Sequence, residues 1–444
     1  MRWRAQDLAD ALGARLVGPD SEVDGATFDS RQVSPHQLFV PIVAQRDGHD
    51  FIADALKAGA SAYLSSRLDV VERIGGSAIV VPDTALALID TARWVRQQFA
   101  ESTVVVGVTG SVGKTTTKDL IAVALAPSKR VVANIRSFNN EQGLPVTILN
   151  APITTEVLVL EMGMRGHGQI ADLCRIARPS IGVVTRVGQA HTELVGGLAG
   201  VAEAKGELIE ALPPQGMAIL NADDSLVMAM SARSSAPVMT YGESASADVH
   251  ISAVTIDQQG CAAFVIRTPS GSCAIKLSIA GRHMAHNAGA AIAVGESLGI
   301  SLDSMALALS TATISEHRMQ AKRTPHGALL FDDCYNANPT SMAAALETLA
   351  QIPAVRKVAV LGVMAEITDP QLAYAAIVDQ AQKYRIEILA LETTAYGVPA
   401  MSLEEVQQRV QELDSEAVVL VKGSRVARLE RVVDAVMADS GTSR

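Results

Sequence analysis

The chain has little of several things, and each shortage narrows its class. Aromatic residues make up 3% of its 444 residues. The four cysteines, Cys174, Cys261, Cys273 and Cys334, include no CxxC pair. Cys261 and Cys273 are close enough to face each other across a hairpin, but reduced cysteines of a cytosolic protein are the expectation. No apolar run approaches the roughly 20 residues that span a bilayer. The opening "MRWRAQDLAD" turns acidic before any apolar core, so it does not read as a signal peptide. A cytoplasmic protein without a membrane span, and a monomer by default, is expected. Basic charge is also short: 37 Lys and Arg stand against 47 Asp and Glu, for a net −10. That argues against a nucleic-acid partner, which would need a basic face, but leaves room for a basic pocket around a small anion. A GxGxxG turn is missing too, so dinucleotide binding has no support.

What is present is apolar and aliphatic. Hydrophobic residues reach 48%, ample for buried cores, and the length suggests about three domains of ~150 residues. Residues 1–83 read as a small mixed α/β unit, with helices at "RAQDLADAL" and "DFIADALKAGA". From residue 84 to 316, strands such as "EVLVLEMG", "IGVVTRVG" and "GMAILNADD" alternate with helices such as "GQIADLCRIA" and "GVAEAKGELIEAL". Alternation of this kind implies a parallel sheet covered by helices on both faces. Around 247–280 the rhythm shortens into an antiparallel patch. Residues 317–444 start a further βα series, including "GALLFDD", "KVAVLGV" and "AVVLVKGS", with the look of a Rossmann-like domain. The expected fold class is therefore α/β in three parts, the central one a parallel-sheet ATPase.

The central part opens with "VVVGVTGSVGKTTTK", residues 104–118. A β-branched strand runs into a glycine turn and then a helix, the context that distinguishes a phosphate loop from a chance match. Gly110, Ser111, Val112 and Gly113 supply converging N–H groups at a helix N-terminus. Lys114 can reach the β- and γ-phosphates, and the Thr115 hydroxyl, followed by Thr116, can ligate Mg2+. The usual loop carries a glycine five residues before Gly113, and here that position is Val108.

The shortened spacing resembles the ATP loop of the Mur ligase family, G-T/S-x-x-G-K-T/S. Further segments follow in the family's order across nearly the whole chain: "FDSRQVSPHQLFVPI", "SFNNEQGLP", "LEMGMRGHGQI", "VGQAHTE", "AKGEL", "LNADD", "GRHMAHNAGAAIAV", "DDCYNANPTSM" and "LVKGSR". The run TTTK and "YNANPTSM" look most like the member that adds a dipeptide. That resemblance implies an ATP-dependent ligase joining D-Ala-D-Ala to UDP-N-acetylmuramoyl-tripeptide through an acyl phosphate, for peptidoglycan. It also implies ATP, two Mg2+ ions and a carbamylated lysine at Lys205.

Residue by residue, the resemblance makes Lys114, Glu161, His191 and Lys205 catalytic, and Thr115, Glu161, His191 and Lys205 metal ligands. By themselves, Glu161 would be a solvated strand-end carboxylate, His191 a loop histidine and Lys205 an exposed helical lysine. Asn287, by default a residue stabilising a helix start, falls near the adenine. Arg318, Asp333 and Asn336 meet the nucleotide, while Tyr335, Asn338, Lys422 and Arg425 belong to the substrate. Ser30 and Arg31 would touch the uracil side, or form a plain surface turn; Asn139 and Asn140 bind substrate or order their loop. The chain departs from the family at Glu316-His317, where Pro-Gly is common, at Val363, where Asp is usual, and at Val426-Ala427, where Gly-Met is read.

Rival readings are open to inspection. A third-residue-adding ligase that takes diaminopimelate carries DNPR, and a folate-polyglutamate ligase GTNGKGS; neither motif is here. A P-loop GTPase-type switch would read guanine with NKxD, also absent. A small-molecule kinase rests on the loop alone.

Overall fold

The computed structural model of the chain describes residues 2–135, 138–188, 195–365, 367 and 369–438. Its contacts divide into two compact units. Met1–Gly107, Lys129–Met164 and Gly168–Ser180 form the first, and Val108–Ser128, Arg165–His167 and Ile181–Arg444 the second.

In the first unit, short apolar segments build a five-stranded sheet in the order Arg15–Val17, Ala78–Val80, Ala62–Ser65, Leu38–Phe39, Ala26–Thr27. The first pair is antiparallel and the others are parallel. Helix Ile52–Lys57 closes one face by packing Ile52 and Ala55 into a cluster with Phe39 and Tyr63. Asp83 caps helix Thr84–Arg96 by accepting from the N–H groups of Ala85 and Leu86, a contact worth ~1 kcal/mol. Strand Val157–Glu161 lies parallel to Val131–Ala133 and is buried throughout. A strand apolar in its first four residues and buried in all five needs cover on both faces. Its last residue, Glu161, therefore emerges at a carboxyl end, where ligands bind in parallel sheets.

In the second unit, one run of strands has the order Gly271–Ala280, Cys261–Thr268, Val249–Ile256, Val238–Gly242, Met217–Asn221, Ile181–Val184. The last four pair in parallel and the first three as antiparallel hairpins, which places the expected patch at residues 249–280. Within it Cys261 faces Ala280 and Cys273 faces Ile266, so the two thiols sit far apart along the hairpin and both are free. A six-stranded sheet follows in the order Gln320–Arg323, Leu329–Asp332, Ala417–Lys422, Arg356–Leu361, Glu387–Leu391, Ala400–Met401. Only its Gln320–Arg323 edge is antiparallel. Leu330, Val360, Val419 and Val421 fill its core against Val406, Val410, Val432 and Val436. Asp332 and Lys422 end neighbouring parallel strands. Among the described residues no helix is long and apolar enough to cross a membrane.

Candidate active site

Strand Val104–Thr109 feeds the glycine loop, and helix Lys114–Leu125 leaves it. Two glycines are obligatory there. A Cβ on Gly110 would stand 1.9 Å from the Thr185 Oγ1, and Gly110 has φ +151°. Gly113 is left-handed at φ +80°, with Asn287 Oδ1 2.8 Å from where its Cβ would be. The serine that marks this variant loop is structural: Ser111 Oγ donates to the Gly188 carbonyl and accepts from the Gly188 N–H, at 3.0 and 2.9 Å. Thr185 Oγ1 donates to the Val112 carbonyl at 2.6 Å. Lys114 Nζ donates to the Gly110 carbonyl at 2.8 Å, folding the ammonium back over the loop. Thr115 and Thr116 are buried on the first turn of the helix.

Asn287 does not cap a helix. It lies inside helix Met284–Ser297, buried, and its Oδ1 accepts from Thr117 Oγ1 at 3.3 Å. This clamps the loop helix from behind. Nearby in sequence, burial pushes the His283 imidazole down to about 4, and its Nδ1 has no hydrogen-bond partner among the described residues.

Glu161 is not a solvated strand end: it is 1% exposed. Asn139 Nδ2 donates to its Oε1 at 2.6 Å, and its main-chain N–H donates to Asn134 Oδ1 at 2.8 Å. Oε2 is buried without a hydrogen-bond partner among the described residues. A carboxylate left this way is costly unless a cation meets it, so the residue fits a hard metal ion. Asn140 orders its own loop by accepting from the Gly143 N–H at 2.9 Å. Lys205, on helix Gly197–Glu210, is 2% exposed rather than the solvated lysine its type suggests. His191 lies outside the described residues.

Arg318 and the phosphate loop meet within the second unit. Arg318 Nη2 donates to Thr115 Oγ1 at 2.9 Å, and its guanidinium stacks 4.2 Å above the Tyr335 ring. Ser315 donates from its N–H and its hydroxyl to Asp119 Oδ2, at 2.9 and 2.7 Å. Thr115 and Asp119 are one turn apart on the loop helix, so the segment before the six-stranded sheet is pinned to it twice. Between them His317 takes φ +60°, the left-handed conformation for which the family's glycine is suited. Its Nδ1 lies 3.0 Å from Asp332 Oδ2, and Lys322 Nζ is 2.7 Å from the same oxygen. Cys334 Sγ donates to Asp332 Oδ1 at 3.0 Å. Burial alone would raise the Asp332 carboxyl; the Cys334 thiol and the Lys322 ammonium hold it below its ordinary value instead. The donor atoms of His317, Asp332 and Cys334 lie within 4.8 Å of one another, yet these bonds already satisfy them mutually.

Lys422 Nζ reaches Asp333 Oδ2 at 2.5 Å and the Asn336 carbonyl at 3.1 Å, tying two neighbouring strand ends together. Asn338 is the N-cap of helix Pro339–Gln351, accepting from the Ser341 N–H at 2.9 Å. Arg425 is exposed and 3.5 Å from Glu430. In the first unit Ser30 and Arg31 form a turn, with Arg31 bidentate on Asp29 at 2.8 Å per bond. Sequence reasoning passed over Asn134, Asp119, Thr185 and Ser315. Each is a small polar residue whose partner is remote in the chain, and no local pattern marks it.

Three family models match the chain: the catalytic domain of the Mur ligase family over residues 22–96, the Mur ligase middle domain over 108–295, and the Mur ligase glutamate ligase domain over 317–425. The chain is 37% identical to the UDP-N-acetylmuramoyl-tripeptide–D-alanyl-D-alanine ligase of Mycobacterium tuberculosis, across 97% of this chain and 94% of that protein. Among solved structures it resembles a MurF from Acinetobacter baumannii, with a TM-score of 0.88, 29% identity and 99% of both chains covered. A MurF ligase from Thermotoga maritima in complex with ADP gives a TM-score of 0.82 at 27% identity, covering 94% of this chain and 98% of that one.

Proposed function

The chain belongs to the Mur ligase family, and from that premise we propose that it joins D-Ala-D-Ala to UDP-N-acetylmuramoyl-tripeptide, consuming ATP and releasing ADP and phosphate. The reaction is the dipeptide-adding step of peptidoglycan precursor synthesis, carried out in the cytoplasm by a monomer. The observation that carries this reading is the match, over 97% of the chain, to a relative named for that activity. The buried, doubly anchored phosphate loop supports it.

The chemistry sets what the residues must do. A carboxylate is a poor acyl donor because its leaving group would be oxide, so the γ-phosphoryl group of ATP is first transferred to it. The resulting acyl phosphate is attacked by the amine of the dipeptide, and phosphate leaves. Two negatively charged groups have to approach each other, and cations placed beforehand lower that barrier most. The loop from Gly110 to Gly113 brings the helix N-terminus to the phosphates, with the Ser111 N–H given instead to the Arg186 carbonyl at 2.7 Å. Lys114, whose ammonium lies on the Gly110 carbonyl, would hold the β- and γ-phosphates. Arg318, stacked on Tyr335 and bonded to Thr115, is the cation this reading assigns to the γ-phosphoryl group. The reading assigns Asp333, Asn336 and Asn287 to the nucleotide and Lys422 to the substrate, with the Lys422 ammonium also joining Asp333 to the Asn336 carbonyl. The same reading assigns Tyr335, Arg425 and Asn338 to the incoming dipeptide, although the Asn338 Oδ1 caps a helix, and it assigns Ser30 and Arg31 to the uridine end.

The metal reading assigns Thr115, Glu161, His191 and Lys205 as ligands of two Mg2+ ions. Bound Mg2+ would neutralise phosphate and carboxylate charge during transfer. Glu161, with its buried unpartnered Oε2, fits this directly. Lys205 fits it as a carbamate: a buried ammonium would repel the ion, whereas carbamate oxygens are the hard ligands Mg2+ prefers. The three-part division into residues 1–83, 84–316 and 317–444 is retained as the functional one, for UDP-sugar, ATP and amine respectively.

The test is ADP and phosphate release with each substrate omitted in turn. Turnover only when the UDP-muramoyl-tripeptide and D-Ala-D-Ala are both present is the expected result. Equal turnover with lysine or diaminopimelate offered to the UDP-muramoyl-dipeptide would reassign the chain to the third-residue-adding ligases.

A further inference from the structure

We propose that Asn139 is a positioning residue: its amide occupies one oxygen of the Glu161 carboxylate so that the other is turned toward a divalent cation. The inference rests on the reading of Glu161 as a metal ligand, and it departs from the expectation that Asn139 binds substrate or orders its loop.

The carboxylate of a glutamate turns about a terminal bond with broad, nearly two-fold preferences. Left alone, it presents both oxygens in varying orientation. Here the backbone and one oxygen are both held. The Glu161 N–H donates to Asn134 Oδ1 at 2.8 Å, and Asn134 Nδ2 donates to the Phe138 carbonyl at 3.0 Å. The Asn139 amide then donates to Oε1 at 2.6 Å, at the short end of a charge-assisted bond. An ionised carboxylate only accepts, which settles that the NH2 group of Asn139 is the one facing it. Oε2, buried and without a hydrogen-bond partner among the described residues, is the remaining acceptor.

The donor is itself held. The Asn139 carbonyl accepts from the Gly163 N–H at 2.8 Å. A Cβ on Gly163 would lie 2.8–2.9 Å from the Asn139 amide atoms, so a glycine is needed for the amide to lie flat against the chain. Glu161 and Gly163 thus grip Asn139 from both ends of a three-residue step. This is how a residue behaves that orients a ligand; a substrate contact would point its amide outward. Partners of this kind usually contribute ~10–100-fold to metal affinity or activity.

The experiment is a double-mutant cycle on the full chain, read by Mn2+ binding rather than by turnover alone. Mn2+ is titrated against the protein with saturating ADP, and free Mn2+ is followed by electron paramagnetic resonance. Asn139→Ala should weaken Mn2+ binding ~10–100-fold, and raise the Mg2+ needed for half-maximal ligase rate by a similar factor. KM for the UDP-substrate should stay within about twofold. Glu161→Gln should weaken Mn2+ binding, and adding Asn139→Ala to it should then cost nothing more, because both act through one carboxylate. Should the alanine variant melt early, Asn139→Ser runs the same cycle with a small polar side chain.

Mn2+ affinity in Asn139→Ala within twofold of the parent overturns the proposal. So does an equal further loss in the Glu161→Gln background, or a raised UDP-substrate KM with an unchanged metal response. If Glu161→Gln alone leaves Mn2+ binding intact, the metal reading of Glu161 falls first, a distinguishable failure.

Discussion

Replacing Arg318 by lysine should cost far more catalysis than stability. Arg318 makes two contacts at once: a 2.9 Å bond from Nη2 to Thr115 Oγ1, and a guanidinium 4.2 Å over Tyr335. A lysine keeps the charge but has no planar fork, so it cannot stack and donate together. The lost hydrogen bond is worth ~1.5–3 kcal/mol and the lost stacking ~0.5–2 kcal/mol. Against this, Arg318 Nε is buried with no hydrogen-bond partner among the described residues, and removing it relieves a desolvation cost of ~1–3 kcal/mol. The net change in stability should therefore be ~1–2 kcal/mol, a shift of only a few degrees in a chain of this size. In the reaction, an arginine on the transferring phosphoryl group is worth ~10^3–10^5 in rate. Retaining the charge should keep part of that, so kcat should fall by ~10^2–10^3, or ~3–4 kcal/mol of barrier. The assay is coupled ADP release at saturating substrates, with calorimetric binding of a non-hydrolysable ATP analogue and a thermal melt on the same sample. A kcat within threefold of the parent would refute the assignment. A melting point lowered enough to unfold the protein at assay temperature would refute the stability arithmetic.

Two further outcomes follow from the geometry. Lys205→Arg keeps the charge but cannot become a carbamate, so ligase activity should nearly vanish while ATP binding persists; 13C NMR of the parent in labelled bicarbonate should show a carbamate resonance that the variant lacks, and a fully active variant would sink the carbamate. Asp332 is held below its ordinary pKa, so the folded state resists its protonation: its stabilisation is complete above that ordinary value and is lost as pH falls below ~4. Asp332→Asn should lower the melting point at neutral pH and flatten the acid limb of the melting curve, and parallel acid limbs would contradict this.

Much of this protein is written locally. The phosphate loop is contiguous, a strand, a glycine turn and a helix within fifteen residues, so its chemistry and its place at a strand end are legible together. The βα alternation is also legible, because period-2 and period-3.6 patterns need only one or two turns of chain. The motifs around Glu161, Lys205, Asn287 and Arg318 could be located in the same way, although what each side chain touches could not. Asn338 shows the limit: a residue expected beside substrate has its Oδ1 committed to the start of a helix.

The sequence by itself determined where the strands and the loop form, because β-branched runs, glycines and caps act on their immediate neighbours. Tertiary structure alone decided the company the polar residues keep. Arg318 meets Thr115 across 203 positions, Ser315 meets Asp119 across 196, and Asn139 meets Glu161 across 22. It also decided that Lys205 is buried and that His317 takes a glycine's conformation beside Asp332. No spacing encodes these pairings. They exist only once apolar burial has folded the chain back on itself, and then a buried donor or acceptor must find a partner or bear the cost of its lost water.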